Sequence, residues 1–500
     1  MKRFAIRFLA MVMCCTMLFG FAPSSVLADE VERITVVTLS MGEIPRDFDE
    51  VVAALNTLTR EKIGIEADIQ MVNLATYTET INVMQAGGDP MDLFWLPVDV
   101  SLSTLVAQKQ VAPVDELLEQ YGQGILEALG QLIHYAPING KTYAIPFNGN
   151  KAYTGNIVCR KDICDKYGIN LDEITSYEDL GAVFEIIRNN EPDLVPLVPE
   201  NRSVIAGYNM IGTGITEFDA LGDSLGVLMN GKGFTVQNLF ETDEYKQLLD
   251  TLHDWYVKGY IMQDAATTSE VGSVMYLQGK AFAYMNIDAL TDNTKAIEHI
   301  GITNQGIPTY AKALTLPIIT SKSGFFSMGL NSRSSHKEAA IKWLNLFYTD
   351  KDAVNLIYNG IEGKHYVKNE NGTISRAEGQ EGAASGWDTP FCWMFGNSAL
   401  AYTFAAESDD PDFRAKFVAQ NKAAQYSPAF GFTFDIEPVK IEYSAVSNVL
   451  SKYRVALETG SVDPAEVLGS FLMELESAGV NTILEEKQCQ LDAWVAENAK

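Results

Sequence analysis

Cysteine and histidine are scarce in this 500-residue chain, which contains six cysteines and five histidines. No two histidines stand four residues apart and no Cys-x-x-Cys pair occurs, so the ligand spacings typical of zinc sites are missing. The cysteines are also too few and too scattered to form a disulfide framework. We therefore predict no metal site and no cofactor.

Cys159 and Cys164 are close enough in sequence to suggest a bridge or a shared metal ion. The segment 156–165, however, reads as a strand that turns into a helix, which would point the two side chains in different directions. We predict free structural thiols at both positions, with a bridge as the alternative.

Basic residues are also in short supply, because 37 lysines and arginines stand against 65 aspartates and glutamates and give a net charge of −28. So acidic a chain lacks the positive field that nucleic acids require, and an anionic membrane surface would repel it. Hydrophobic residues make up 47% of the chain and charged residues 20%, which excludes disorder as the dominant state. The length predicts more than one domain.

The apolar run near the N-terminus, residues 8–21, is too short to span a membrane. Three basic residues precede it and a Val-Leu-Ala sequence follows it. This combination predicts a signal peptide over residues 1–28, with cleavage before Asp29 and export of the mature chain.

A lipid anchor on Cys14 or Cys15 is the alternative mode of export. Val12 and Met13 precede these cysteines, where a lipid-attachment motif requires a small residue, and the pair lies in the middle of the apolar run. We predict that the chain is exported without a lipid.

Catalytic motifs are equally weak. Gly222–Gly226 matches the G-x-S-x-G pattern of serine hydrolases, but the strand that should precede it is missing. Gly226–Gly233 resembles a phosphate-binding loop in which glycine replaces the required Ser or Thr. Both segments are interpreted as glycine-rich surface loops. A pair of catalytic carboxylates, as in glycosidases, remains an open alternative among 65 acidic residues.

Apolar runs and helical patterns alternate along the first part of the chain. Residues 34–39, 65–72 and 91–96 are short apolar runs typical of buried strands. Between the first two, a helix is predicted to begin at Asp47 and to end at Gly64. This alternation predicts an α/β fold with a parallel sheet.

The candidate site residues come from the ends of these strands. Ligands of α/β sheets bind at the carboxyl ends of strands, which points to Glu43 after the first strand and to Trp95 at the end of the third. Phe147 and Asn148 follow an Asn-Gly hairpin signal at residues 139–140.

A second group of candidates comes from the stretch 389–406, which carries no charge. Trp387 and Trp393 flank Asp388 at its start, and Asn397 follows. Tryptophan rings stack on the apolar faces of sugars, and amides bind sugar hydroxyls. We interpret this stretch as the wall of an aromatic pocket, with core packing as the alternative for each tryptophan.

Six segments, in this order and spacing, resemble a known family: 87–92, 106–114, 139–146, 175–180, 278–283 and 337–344. Their sequences include GGDPMD, NGKTYAIP and KEAAIKWL. The family is that of the extracellular solute-binding proteins of ABC importers, family 1. Three later segments, 360–366, 435–440 and 488–494, are similar to a LipO-like subgroup with a C-terminal extension.

The resemblance implies a two-lobe, periplasmic-binding-protein-like α/β fold around a central cleft, with several hinge crossings near residues 150, 303 and 348. Residues 29–150 and 304–348 would form the N-terminal lobe, and residues 151–303 and 349–500 the C-terminal lobe. Phe147 and Asn148 would lie at the first crossing. Asn286, at the end of a predicted strand, would face the cleft.

The function that follows from the resemblance is that of an exported solute receptor, not an enzyme. It would deliver a small solute, for which we expect an oligosaccharide, to the permease of an ABC importer by hinge closure. We expect a monomer at the outer face of the cytoplasmic membrane or outside the cell. The alternatives are a secreted glycosidase and a surface adhesin without a ligand cleft.

Overall fold

The computed structural model describes most of residues 31–498. The segments of that range left out of the description are 41, 98–99, 101, 136, 176, 201, 203, 206–217, 230–232, 289, 291–294, 299–306, 322–325, 381–383 and 388–394. The predicted signal peptide and its cleavage site therefore lie outside the described residues.

The strands, numbered in chain order, are β1 (Glu32–Ser40), β2 (Ile65–Asn73), β3 (Leu93–Trp95), β4 (Ala144–Pro146), β5 (Thr154–Arg160), β6 (Val195–Val198), β7 (Phe218–Asp219), β8 (Val227–Met229), β9 (Val236–Gln237), β10 (Ala281–Asp288), β11 (Ile297–Glu298), β12 (Thr309–Ala313), β13 (Ile318–Ile319), β14 (Ser327–Leu330), β15 (Tyr366–Lys368), β16 (Ile374–Arg376) and β17 (Gln425–Tyr426).

The α-helices are α1 (Phe48–Ile63), α2 (Tyr77–Gly87), α3 (Leu102–Ala107), α4 (Asp115–Tyr121), α5 (Gln123–Leu129), α6 (Lys161–Tyr167), α7 (Tyr177–Asn190), α8 (Asp243–Val257), α9 (Gly272–Leu277), α10 (Lys337–Thr349), α11 (Lys351–Asn359), α12 (Phe413–Ala419), α13 (Lys440–Glu458), α14 (Pro464–Ala478) and α15 (Val480–Asn498).

The first sheet has the strand order β2-β1-β3-β14-β4. Strand β1 is parallel to β2 and β3, whereas β14 runs antiparallel to β3 and β4. All residues of β1 from Thr35 to Ser40 are buried, as the continuous apolar run predicts for a strand covered on both faces. The predicted parallel α/β arrangement is therefore present in the first sheet, with β14 inserted from a later part of the chain.

Helix α1 begins and ends where the sequence predicts, but Asp47 does not cap it. Gly64 adopts φ 72°, the left-handed conformation that ends helices, and its N–H donates to the carbonyl of Arg60. The Asp47 carboxylate accepts a hydrogen bond from Nε2 of the fully buried His365 at 3.1 Å instead of capping the helix. This contact joins α1 to the segment that follows α11.

The second sheet has the order β11-β12-β5-β10-β6. Strand β5 runs antiparallel to β10 and β12, and β10 is parallel to β6. Cys159 and Cys164 are both buried in the core beneath this sheet and are free thiols, while Cys489 is exposed and free. Cys392 lies outside the described residues.

The two sheets show where the chain passes between the lobes. The first passage joins β4 to β5, close to the predicted crossing at 150. The chain is still in the second sheet at β12, which pairs with β5, and it returns to the first sheet only at β14. This passage therefore lies between Ala313 and Ser327, not at the predicted position 303.

The predicted boundary at 348 also differs from the packing. Val354 and Ile357 of α11 and the later residues Trp387, Phe395 and Ala401 belong to the same hydrophobic core as β1 and β3. The first lobe therefore continues well beyond 348, because α11 is amphipathic and buries its apolar side in that core.

The C-terminal helices pack on the second lobe. Helices α13–α15 share a core with α8 and β8. The fully buried ammonium of Lys487 on α15 lies 2.6 Å from Oδ1 of Asp223 in the loop before β8. The same loop contains Gly226, at φ 91°, where a Cβ would lie 2.7 Å from Val236 and 3.2 Å from Lys487. The prediction that Gly222–Gly226 is a surface loop is therefore wrong in part. The segment is a loop, but it lies beneath α15 and its Ser224 is buried.

Candidate functional site

A groove of about 740 Å³ opens at the carboxyl ends of β1, β2 and β3. Leu39 near the end of β1, Leu74 directly after β2 and Leu96 directly after β3 contribute apolar side chains to its lining. Helix α2 forms the other wall. The lining residues of α2 are Tyr77, Thr78, Glu79, Asn82, Val83 and Ala86. The groove therefore lies where the rule for α/β sheets places a ligand.

Tyr77 fixes α2 against the sheet. It is fully buried, and its hydroxyl lies 2.9 Å from the carbonyl oxygen of Trp95 and 3.3 Å from that of Val37. Burial raises the pKa of the Tyr77 phenol well above its usual value, so the hydroxyl stays protonated and can donate. This contact holds the groove wall at a fixed distance from β1 and β3.

Glu43 is exposed in the loop between β1 and α1. In the same loop, the Ser40 hydroxyl donates to the carbonyl of Gly42 at 2.7 Å, which turns the chain away from the end of β1. The carboxylate of Glu43 is thus accessible at the edge of the sheet that the sequence analysis identified.

Trp95 is fully buried at the end of β3 and packs against Phe326, with ring centroids 5.2 Å apart. A sugar cannot lie on its ring in this conformation. Its indole Nε1, however, is buried without a hydrogen-bond partner among the described residues. In this conformation Trp95 therefore holds an unsatisfied donor inside the protein and presents no stacking face.

Trp387 is part of the first core, where 1% of its surface is exposed. Its ring stacks on Phe48 with a centroid distance of 6.5 Å, and its Nε1 donates to the carbonyl of Ile357 at 3.2 Å. These contacts are typical of a packing role. Trp393, the other tryptophan of that stretch, lies outside the described residues.

Asn148 and Asn397, 249 residues apart in the chain, contact each other directly. The Asn148 amide Nδ2 donates to Oδ1 of Asn397 at 2.9 Å. Their backbones are also joined, since Asn148 N–H donates to Gly396 and Ser398 N–H donates to Asn148. The pair joins the start of the first passage to the uncharged stretch. The Asn148 Nδ2 and both polar atoms of the Asn397 side chain are engaged by the protein itself, whereas Asn148 Oδ1 is buried without a partner among the described residues.

Asn286 lies within β10 and not after it, and it is half-buried. It stands opposite Asn156 of β5, whose Nδ2 lies 3.4 Å from its Oδ1. The Thr154 hydroxyl donates to Oδ1 of Asn156 at 2.7 Å. These three polar side chains are on the second sheet, whereas Trp95 is on the first sheet and Glu43 is in the loop that follows its strand β1.

Phe147 is half-buried at the start of the first passage. Its ring packs over the backbone of Gly149, where a Cβ would lie only 2.3 Å from the ring. The ammonium of Lys151 lies 5.3 Å from the centroid of Phe147 and 5.6 Å from that of Phe326. Trp95 also packs on Phe326, so these four residues form one group, the Trp95–Lys151 cluster.

The structure adds two exposed apolar side chains that the sequence analysis missed. Tyr153 on the first passage is 37% exposed and Leu316 on the second is 63% exposed. Tyr153 directly precedes β5, so a search for aromatic residues at strand starts as well as strand ends would have found it, whereas Leu316 lies in the short connection between β12 and β13. Exposed apolar groups at a crossing between lobes are suited to ligand contact.

Carboxyl groups with a raised pKa would support the glycosidase alternative. Among the described carboxyl groups, burial raises the pKa of Glu458, which is ion-paired with Arg454 of the same helix and accepts from the Tyr245 hydroxyl. This group lies between α8 and α13, away from the groove.

In the described part of the chain, no cluster of three or more metal-ligating side chains occurs. No described helix is both long and apolar enough to cross a bilayer.

A family model described as "Bacterial extracellular solute-binding protein" matches residues 41–354. The chain belongs to this family. A second model, a domain of unknown function named DUF3502, matches residues 428–496, which include α13–α15. The family resemblance seen in the sequence is thus confirmed, and the C-terminal extension corresponds to a separate domain model.

Relatives of this solute-binding protein are carbohydrate receptors. It is 27% identical over 477 residues to a carbohydrate ABC transporter substrate-binding protein of Streptococcus pneumoniae, covering 94% of this chain and 92% of the relative. The crystal structure of the N-glycan transport solute-binding protein NgtS from the same species matches 94% of this chain and 100% of its own, with 26% identity and a TM-score of 0.74. The complex of NgtS with Man5GlcNAc gives 26% identity and a TM-score of 0.58, over 93% of this chain and 99% of its own. The fold is therefore that of the two-lobe solute-binding proteins of ABC importers.

Proposed function

We propose that this solute-binding protein is a non-enzymatic receptor that binds an oligosaccharide between its lobes and presents it to an ABC importer. The observation that carries the proposal is the match to NgtS over nearly the whole chain. An N-glycan oligosaccharide is the first ligand class to test, because NgtS is described as an N-glycan transport protein and has been solved with Man5GlcNAc.

Comparison among the NgtS structures supports closure on the ligand. The TM-score is 0.74 for the structure whose description mentions no glycan and 0.58 for the Man5GlcNAc complex, although the sequence identity is the same. This protein therefore superposes better on the first NgtS structure than on the complex. A ligand that touches both lobes favours a closed arrangement because it gains contacts only there.

The groove, Tyr153 and Leu316 would supply the ligand surface. Leucines line the base of the groove and Asn82 and Glu79 stand on its helical wall, so it combines apolar area with groups that bind hydroxyls. We assign Glu43, Phe147 and Asn286 to the ligand site because of where they lie in the fold. Trp393 is assigned to it from the sequence pattern of the uncharged stretch alone. Asn148 and Asn397 would position the first passage, and Trp387 would support the first lobe from within.

Export without a lipid completes the proposal. Cleavage before Asp29 would release a chain held at the cell surface only by its importer. Mass spectrometry of the N-terminus of exported protein tests this. An N-terminal Asp29 is expected, and a lipid-modified cysteine would show that the cleavage site is wrong.

A thermal-shift screen against oligosaccharides tests the receptor function, since a ligand that binds only the folded state raises the melting temperature. Chromatography of the sugar after prolonged incubation separates the two functional classes. The receptor returns the oligosaccharide intact, whereas a glycosidase would return shorter products.

A further inference from the structure

The burial of Lys151 differs from that of Lys487, another buried lysine of this fold. Lys487 is fully buried, but Asp223 lies 2.6 Å from its ammonium. Lys151 is 3% exposed, and among the described residues no carboxylate is paired with its ammonium, so burial alone shifts its pKa. Its neighbours there are the rings of Phe147 and Phe326.

An ammonium in such surroundings is costly. Two aromatic faces offset part of the lost hydration, but they do not replace a carboxylate. Burial lowers the pKa of Lys151 to about 8, so most of the amine is still charged at neutral pH. A buried charge that destabilises the folded state is a candidate functional group, because such groups cluster at functional sites.

A second donor without an acceptor belongs to the same cluster. The indole Nε1 of Trp95 is buried and has no partner in the part of the chain that the structure describes, and its ring contacts the same Phe326 as Lys151 does. Lysine and tryptophan side chains can donate but cannot accept. Phe147 and Lys151 of this cluster lie between β4 and β5, on the first passage between the lobes, where a ligand held by both lobes would reach them.

The complement of two donors is a group that only accepts. An ionised carboxylate has two acceptor oxygens and no donor, whereas a sugar hydroxyl brings a donor that needs its own partner. We propose that Lys151 is a specificity-determining residue that binds the carboxylate of an acidic oligosaccharide, with Trp95 as the second donor. This inference rests on the proposed receptor function and names its ligand class.

Calorimetric titration with matched sugars tests the inference. The probes are a sialylated oligosaccharide and its desialylated form, and an oligogalacturonate and its carboxyl-reduced form. The wild-type protein should bind at least one acidic sugar ten times or more tightly than its neutral counterpart. Lys151→Met should lose that preference and keep its affinity for the neutral sugar.

Lys161→Met is the matched control. Lys161 also lies over an aromatic ring, 4.9 Å from the centroid of Tyr310, but it is paired with Asp165 on α6. This variant should keep the preference for the acidic sugar. If Lys151→Met fails to fold, the pH dependence of the wild type replaces it, because the affinity for the acidic sugar should fall as the amine loses its charge above about pH 8 and that for the neutral sugar should not.

The outcomes separate the two proposals. Equal affinity of the wild type for acidic and neutral sugars, or an undiminished preference in Lys151→Met, would overturn the inference and leave the receptor function standing. Binding of no oligosaccharide at all would overturn the receptor function itself.

Discussion

The backbones of Tyr153 and Ile318 exchange two hydrogen bonds, with N···O distances of 3.2 Å and 3.1 Å. Tyr153 lies on the first passage between the lobes and Ile318 on the second. Strand β13, which contains Ile318, also pairs with β17. Three segments distant in sequence therefore form one small ribbon between the sheets, and we expect the lobes to rotate about this ribbon when a ligand binds.

Tyr153→Ala should weaken oligosaccharide binding by about 1–3 kcal/mol, on the scale of burying one large apolar side chain. Its melting temperature without ligand should change little, because the ring is partly exposed. Phe234→Ala is the matched control, since Phe234 is also 37% exposed. It lies just before β9, next to Gln488 of α15, and not on a passage between the lobes. A calorimetric titration in which both variants bind as the wild type does would exclude Tyr153 from the site.

Trp387→Ala should reduce the free energy of unfolding by about 3–5 kcal/mol, because a fully buried ring leaves a cavity. Ligand affinity of the remaining folded protein should be nearly unchanged. Trp393→Ala should show the opposite pattern, weakening binding by about 1–3 kcal/mol with little change in stability. Denaturant unfolding and titration of both variants measure this. A destabilised Trp393→Ala with normal affinity would place Trp393 in the core.

The local signals in the sequence predicted the first lobe well. The buried run of β1, the glycine that ends α1 and the Asn-Gly turn at residues 139–140 act over a few residues, and periodicity and turn chemistry determine them. Asn139 and Gly140 indeed adopt φ 50° and 69°.

Tertiary contacts account for what the sequence did not reveal. The Asp47 side chain would be a normal helix cap, but a histidine 318 residues away binds it. The passage after Ala313 was placed too early because β12 pairs with β5 across a long interval of chain. Lys151 carries no sequence signal at all, since its unusual position depends on two rings that are distant in sequence, Phe147 directly after β4 and Phe326 directly before β14.

Lys487→Met should destabilise the protein by about 3–5 kcal/mol, because Asp223 would be left as an unpaired charge beneath α15. The double variant Lys487→Met/Asp223→Asn should recover part of this loss. Sugar affinity at a temperature where the variants are folded should not change. Thermal unfolding measures the stabilities of the wild type, the double variant and Lys487→Met, which should decrease in that order. A double variant no more stable than the single one would contradict the ion-pair account.

Lys151 should make stability rise in alkaline solution. Its pKa in the folded state is about 8, below the usual 10.5, so the unfolded chain binds more protons between these values. The cost of burying the charge is fully present below pH 8 and disappears as the pH rises toward 10.5, which amounts to about 3 kcal/mol. Other groups titrate in this range, so the comparison is between the wild type and Lys151→Met. If the free energy of unfolding changed with pH in the same way for both proteins, the Lys151 amine would be solvated and its burial would be contradicted.

The measurement that tests the receptor account most directly is a calorimetric titration of the mature chain with Man5GlcNAc and the acidic oligosaccharides. The account predicts heats that saturate at one ligand per chain and return to the baseline after each injection. A steady heat signal that continues after injection would reveal turnover and an enzyme. The absence of any binding heat across the oligosaccharides would contradict the assignment of this cleft to carbohydrate.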